Sequence, residues 1–80
     1  MKYYGSPLCP DCQEATAILQ ERNVQTEFVN ITASMKELKE FLALRDSREE
    51  FIEVKKNGWV GIPCVLREDG RITFDVNDVL

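Results

Sequence analysis

With 80 residues, 44% of them apolar and 30% charged, the chain is long enough for one small core, too short for two, and unlike a disordered segment in composition. Ten basic residues against fourteen acidic ones leave a net charge of −4, which argues against nucleic acid or an anionic membrane surface as partner, because no basic patch is available to neutralise phosphates. No stretch approaches the apolar length of a membrane span and the first residues have no signal-peptide character, so a single cytoplasmic domain over residues 1–80 is expected.

Met1-Lys2-Tyr3-Tyr4 opens the chain as a short strand, and Gly5, Ser6 and Pro7 break it. Two cysteines follow in Cys9-Pro10-Asp11-Cys12. From there Cys12, Ala15 and Leu19 recur at helical spacing with Ile18 beside them, while Gln13, Glu14, Gln20 and Glu21 take the other face. Pro10 suits the first helical position, where its missing N–H costs nothing. That places Cys9 at a helix N-terminus, where unpaired N–H groups and the helix dipole favour a thiolate over a thiol, with the Asp11 carboxylate opposing them. A thiolate with a second sulfur one turn away can attack a disulfide and then be released by its neighbour. Two other uses of the pair fit less well. A structural zinc needs four ligands, and the chain offers three cysteines and no histidine; an inert packed pair does not ordinarily flank a proline at a helix start.

Arg22-Asn23 closes the first helix, and the alternation of Val24, Thr26 and Phe28, ending in Val29 and Ile31, predicts a second strand. Strand, helix and strand form a right-handed βαβ unit with parallel strands. Ser34-Met35-Lys36-Glu37 has the form of a capping box and predicts a second helix to about Arg45, with Met35, Leu38, Phe41 and Leu42 as its apolar stripe. Ser47-Arg48-Glu49-Glu50 repeats that form. It predicts a third helix to Lys56, with Phe51, Ile52, Val54 and Lys55 on or near the inner side and Asn57-Gly58 as its stop. The charges of both helices are expected on a solvated face. Gly61 to Arg67 then forms a strand with Pro63 near its start, Asp69-Gly70 a hairpin turn, and Ile72-Thr73-Phe74 the returning strand. Asp75 to Leu80 leaves room for little more than one helical turn, capped by Asp75 or Asn77. The parallel first half and antiparallel second half predict a mixed four-stranded sheet flanked by helices. Trp59 is expected to pack or to wall a pocket, and Tyr4 to border the dithiol or sit in the core. Cys64 is either a buried strand cysteine or a third redox thiol.

This order of elements, with Cys9-Pro10-Asp11-Cys12 after the first strand and Ile62-Pro63 at the third, resembles the glutaredoxin branch of the thioredoxin fold. It is most similar to small bacterial glutaredoxin-related proteins carrying Cys-Pro-Asp-Cys and Gly-Ile-Pro-Cys. The resemblance implies an α/β thioredoxin-like fold with a truncated C-terminal helix, acting as a thiol–disulfide oxidoreductase. It makes Cys9 the nucleophile and Cys12 the resolving thiol, with Pro10 and Asp11 between them as support. Pro63 matches a cis-proline lying against the sulfurs, and Ile62 a residue whose backbone pairs with a thiol-bearing peptide. Ser6 stands where the family usually carries a lysine for the glycine carboxylate of glutathione. Phe74-Asp75-Val76-Asn77-Asp78 stands where many members carry a Gly-Gly pair followed by acidic residues; both glycines are missing, and Val76 and Asn77 are expected to offer backbone N–H groups and a side-chain contact. The implied partners are a disulfide-containing protein or glutathione, with glutathione or a flavin-dependent reductase as electron donor. No bound cofactor is implied, and a monomer is expected. A second use, with Cys9 as ligand to a bridging iron–sulfur cluster or as a thiol sensor, is opposed for the cluster by Pro10, which in the family goes with disulfide chemistry.

Overall fold

Alternation along the first strand divides the molecule into two cores. The computed structural model describes residues 1–80, and β1 (Lys2–Gly5) sends Tyr3 to one face of the sheet and Tyr4 to the other. Tyr3 is buried with Ala15, Leu19, Val65 and Val76; Tyr4 is buried with Val29, Ile31, Phe41, Phe51, Val54 and Cys64. On one side of β1 lies β2 (Glu27–Asn30), parallel, with Tyr3 opposite Phe28 and Tyr4 opposite Val29. On the other lies β3 (Cys64–Leu66), antiparallel, with Tyr3 opposite Val65 and Tyr4 opposite Cys64. Antiparallel β4 (Ile72–Thr73) completes the mixed sheet in the order β2-β1-β3-β4. Residues in register share a face, so Cys64 is committed to the Tyr4 side by its position alone.

The twelve-residue helix α1 (Pro10–Glu21) is the crossover between the parallel strands and covers the Tyr3 face, with Pro10 in its first turn and Cys12, Ala15 and Leu19 buried as the spacing predicts. Asn23 takes the left-handed conformation (φ 55°) that stops it, and the Val24 N–H returns to the Leu19 carbonyl at 2.9 Å. That closure occupies the residues expected to start the second strand, which is why β2 begins only at Glu27. It is also an edge strand, and Phe28 remains half-exposed while its ring leans on Tyr3 at 5.1 Å.

The Tyr4 face is covered by α2 (Met35–Ser47) and α3 (Ile52–Lys56). Tyr4, Phe41 and Phe51 form a chain of tilted and edge-on rings with centroids 5.7 and 5.8 Å apart, and both phenylalanines are fully buried. Each such burial is worth about 1.5–3 kcal/mol, with the ring geometry adding to it. Four expectations change here. The Ser34 hydroxyl donates to the Glu37 carboxylate and makes no bond to the helix backbone, so the capping box is not closed. Ser47 does not start the third helix: its hydroxyl donates back to the Ala43 carbonyl at 2.7 Å, inside the last turn of α2. A 3₁₀ turn, Glu49–Phe51, then leads into α3. Three residues per turn instead of 3.6 shifts the phase of the buried face, and Ile52 and Lys55 point to solvent while Phe51 and Val54 point in. Met35, the first residue of α2, likewise leaves the expected stripe and faces a surface cleft.

Gly70 turns the β3–β4 hairpin with φ 88°, its N–H bonded to the Arg67 carbonyl at 3.0 Å. The paired part of β3 is shorter than the expected 61–67 because Gly61, Ile62 and Pro63 turn away from β1 before pairing begins. The chain ends in a 3₁₀ turn, Val76–Val79, capped by Asp75, whose carboxylate accepts from the Asn77 N–H at 3.0 Å. No helix is long and apolar enough to cross a membrane.

Candidate functional site

The turn from β1 to α1 is tied at several points, and the ties fix where Cys9 stands. Ser6 is buried, its hydroxyl 2.8 Å from the Thr32 hydroxyl and accepting the Leu8 N–H at 3.1 Å. The Cys9 N–H donates to the Ser6 carbonyl at 3.1 Å, and the Gln13 side-chain amide to the Pro7 carbonyl at 2.7 Å. Ser6, which stands where the family usually carries a lysine for glutathione and is on that ground a candidate for thiol-substrate binding, thus spends its hydroxyl on anchoring the loop. Cys9 is the N-cap of α1, extended at φ −97° and ψ 120°, with its carbonyl accepting the Gln13 N–H at 3.0 Å. Its side chain is partly exposed, whereas Cys12, one turn along, is 1% exposed.

All three cysteines are free thiols. Burial pushes the Cys12 thiol up to about 12; the Ser6 backbone opposes that shift, and the neighbouring Cys9 sulfur reinforces it. The pair is therefore asymmetric: one sulfur open to solvent at the helix start, the other held as a neutral thiol behind it. Cys64 is fully buried among Tyr4, Phe41 and Phe51, and burial pushes it up to about 12 as well. It lies on the sheet face opposite α1, so its position next to Pro63 in sequence does not bring it to the dithiol.

The Ile62–Pro63 bond is cis, and both residues share a cleft wall with Cys9. Neither the N–H nor the carbonyl of Ile62 makes a hydrogen bond within the protein. The preceding loop is held from behind by Arg45, whose guanidinium donates to the Trp59 carbonyl at 2.6 Å and the Val60 carbonyl at 2.9 Å. Gly61 allows the close approach: at φ 100° its ideal Cβ position lies 3.0 Å from the Phe51 ring and 3.1 Å from Val54.

Two clefts of about 660 Å³ each flank Cys9 and share Cys9, Val60 and Ile62 in their walls. The first adds Leu8, Ile31, Met35 and Leu38; the second adds Asp11, Trp59, Pro63 and Phe74. Trp59 is 60% exposed and acts as a wall of the second cleft, while Tyr4 belongs to the core and does not border the dithiol. Val76 is a core residue, and the Asn77 N–H is taken by Asp75, so that N–H is not free for a ligand. Both residues border a shallow depression beyond Asp11. Leu8, Met35, Val60 and Phe74 were not singled out in sequence as lining a site. Their signal was position, since Leu8 and Val60 are apolar residues stranded in loops beside Cys9 and Ile62, where no core awaits them. No group of three or more histidine, cysteine or acidic side chains is placed to share a metal ion.

The Glutaredoxin family model matches residues 1–72, a span that includes both the dithiol and Ile62-Pro63. An uncharacterized protein of Haemophilus influenzae is 39% identical over 69 residues, covering 86% of this chain and 80% of its own. A protein of Clostridium pasteurianum, described as an uncharacterized glutaredoxin-like 8.6 kDa protein in the rubredoxin operon, is 31% identical over 77 residues, covering 96% of this chain and 85% of its own. No solved structure matches the chain significantly. The family match, the mixed four-stranded sheet and the dithiol at the start of α1 agree, and the chain belongs to the glutaredoxin family.

Proposed function

We propose that the protein is a thiol–disulfide oxidoreductase that reduces protein disulfides or glutathione mixed disulfides through Cys9 and Cys12. The observation that carries this reading is the asymmetry of the pair, with Cys9 partly exposed between two clefts and Cys12 buried one turn behind it. The Cys9 thiolate attacks one sulfur of the substrate, forming a mixed disulfide and expelling the other sulfur as a thiolate. Cys12 then loses its proton and attacks the Cys9 sulfur; the second substrate sulfur leaves as a thiolate and is protonated. Two electrons pass from the protein to the substrate, and Cys9–Cys12 is left as a disulfide. Burial of Cys12 keeps it from competing in the first step. An external thiol or a flavin-dependent reductase restores the pair, and the chemistry requires no resident cofactor. One chain supplies both sulfurs and the Ile62 backbone, so a monomer suffices. Three free thiols in so small a chain suit a reducing compartment such as the cytoplasm.

The test is a single-turnover reaction of the reduced protein with hydroxyethyl disulfide, followed by mass spectrometry. The wild type ends as the Cys9–Cys12 disulfide. Cys12→Ser stops with mercaptoethanol attached to Cys9, and Cys9→Ser does not react. Full activity of Cys9→Ser would overturn the assignment.

A further inference from the structure

We propose that this site selects an extended segment of a protein disulfide, with apolar residues on both sides of the attacked sulfur and a basic residue beside Asp11, and disfavours glutathione. This rests on the oxidoreductase reading above and names its substrate class.

The clefts open on either side of Cys9, so a chain laid across that sulfur sends side chains into both. Their apolar walls are unusually open: Leu8 is 78% exposed, Met35 64%, Trp59 60% and Val60 55%. Large side chains left this accessible around a reactive sulfur are contact surface for apolar groups. Between the clefts, the unpaired N–H and carbonyl of Ile62 provide one donor and one acceptor for an extended backbone. Length and shape thus favour a peptide segment.

Charge narrows the choice. Asp11 is the one acidic or basic side chain in the walls of the two clefts, and the depression beyond it adds Glu14 and Asp75. No lysine or arginine lines any of the three. Arg45 reaches the intervening loop but is engaged by the carbonyls of Trp59 and Val60. Glutathione brings two carboxylates and one ammonium to a surface with no cation and a net negative lip. A segment with an arginine or lysine near its cysteine finds in Asp11 a counter-ion at the same place. One exposed pair of this kind is worth a factor of about 2–5, and replacing attraction by repulsion about tenfold.

The reaction is the one already balanced: the substrate disulfide takes two electrons and becomes two thiols, and Cys9 and Cys12 become a disulfide. A single turnover with pre-reduced protein therefore needs no further reductant. Three mixed disulfides with mercaptoethanol serve as probes: a leucine-flanked cysteine peptide bearing arginine two residues to either side, the same peptide bearing glutamate, and glutathione itself. The arginine peptide is expected to react about tenfold faster than the glutamate peptide and at least about tenfold faster than the glutathione probe. Asp11→Lys is expected to reverse the arginine-to-glutamate ratio. Because the ratio is taken within one protein, any change in Cys9 reactivity caused by the substitution cancels. Should that variant fail to fold, the wild-type ratios decide by themselves. A glutathione probe that reacts as fast as the arginine peptide, or an arginine-to-glutamate ratio near one, would overturn the inference. Hydroxyethyl disulfide, small and uncharged, separates the two readings. If it reacts and the ratios are flat, only the substrate assignment fails; if it does not react at all, the oxidoreductase reading fails and this one with it.

Discussion

The phenol of Tyr3 donates a hydrogen bond to the carbonyl oxygen of Cys12, 2.9 Å away, and lies 3.0 Å from the Thr16 hydroxyl. A buried residue of the central strand thereby grips the first turn of α1 from below, at the residue carrying the second sulfur. The same ring lies against Gly5, whose ideal Cβ position would be 3.1 Å from the Tyr3 ring and hydroxyl. Strand, turn and dithiol are thus locked into one unit.

Tyr3→Phe keeps the ring and removes the grip. It is expected to cost about 1 kcal/mol in urea unfolding, the usual net worth of a hydrogen bond lost from a buried site. It also frees the Cys12 turn, so resolution of a Cys9 mixed disulfide should slow more than its formation. Stopped-flow quenching of the two steps distinguishes this from a general loss of stability, which would leave their ratio unchanged.

Much of this was legible in the sequence because the signals were local. Pro10 after Cys9, Asn23 at a helix end, Asp69-Gly70 between strands and Asp75 at the last turn each act within a few residues, and each does in the structure what its chemistry dictates. What was not legible depended on partners far along the chain. Ser6 is an anchor because Thr32, 26 positions away, meets its hydroxyl. Ile52 faces solvent because a 3₁₀ turn precedes it and shifts the helical phase, which no capping pattern reveals. Which of its two readings holds for Cys64 depended on strand register, which pairs it with Tyr4 and leaves it a buried strand cysteine on the other side of the sheet.

Accessibility separates the three thiols in a way that labelling can read. Iodoacetamide at neutral pH should modify one cysteine per folded molecule, Cys9, and three once the chain is unfolded. Peptide mapping identifies the site. Labelling of Cys64 in the folded protein at a rate comparable to Cys9 would contradict its place among Tyr4, Phe41 and Phe51.

Gly61 holds the Ile62–Pro63 segment against the Tyr4-side core, and a methyl group there meets two obstacles. Its φ of 100° lies where side chains are rarely tolerated, and the added carbon would press on Phe51 and Val54. Gly61→Ala is expected to cost about 2–4 kcal/mol, combining the backbone and overpacking penalties. Gly70→Ala has the same kind of φ, 88°, but no atom within 4 Å of the new carbon, and should cost only about 1–2 kcal/mol. Equal losses in thermal or urea unfolding would mean that Gly61 is not held against the core.

Stability should fall on the alkaline side, for a reason set by burial. Cys12 and Cys64 are both pushed from the ordinary value of 9.0 up to about 12. Below pH 9 the folded and unfolded chains both keep these protons, and the full stability is present. Between about 9 and 12 the unfolded chain sheds protons that the folded chain retains, so rising pH favours unfolding by about 1.4 kcal/mol per pH unit for each thiol. Burial also raises Tyr3 and Tyr4, which carries the loss further above pH 10. Urea midpoints measured under reducing conditions should therefore be level from pH 7 to 8.5 and drop steeply by pH 10.5. Cys64→Ala starts from a lower stability, having lost a packed side chain, but its decline with pH should be shallower by about one thiol's share. A variant that declines as steeply as the wild type would show that Cys64 is not held neutral by the core, and would remove one of the two thiols on which the alkaline slope depends.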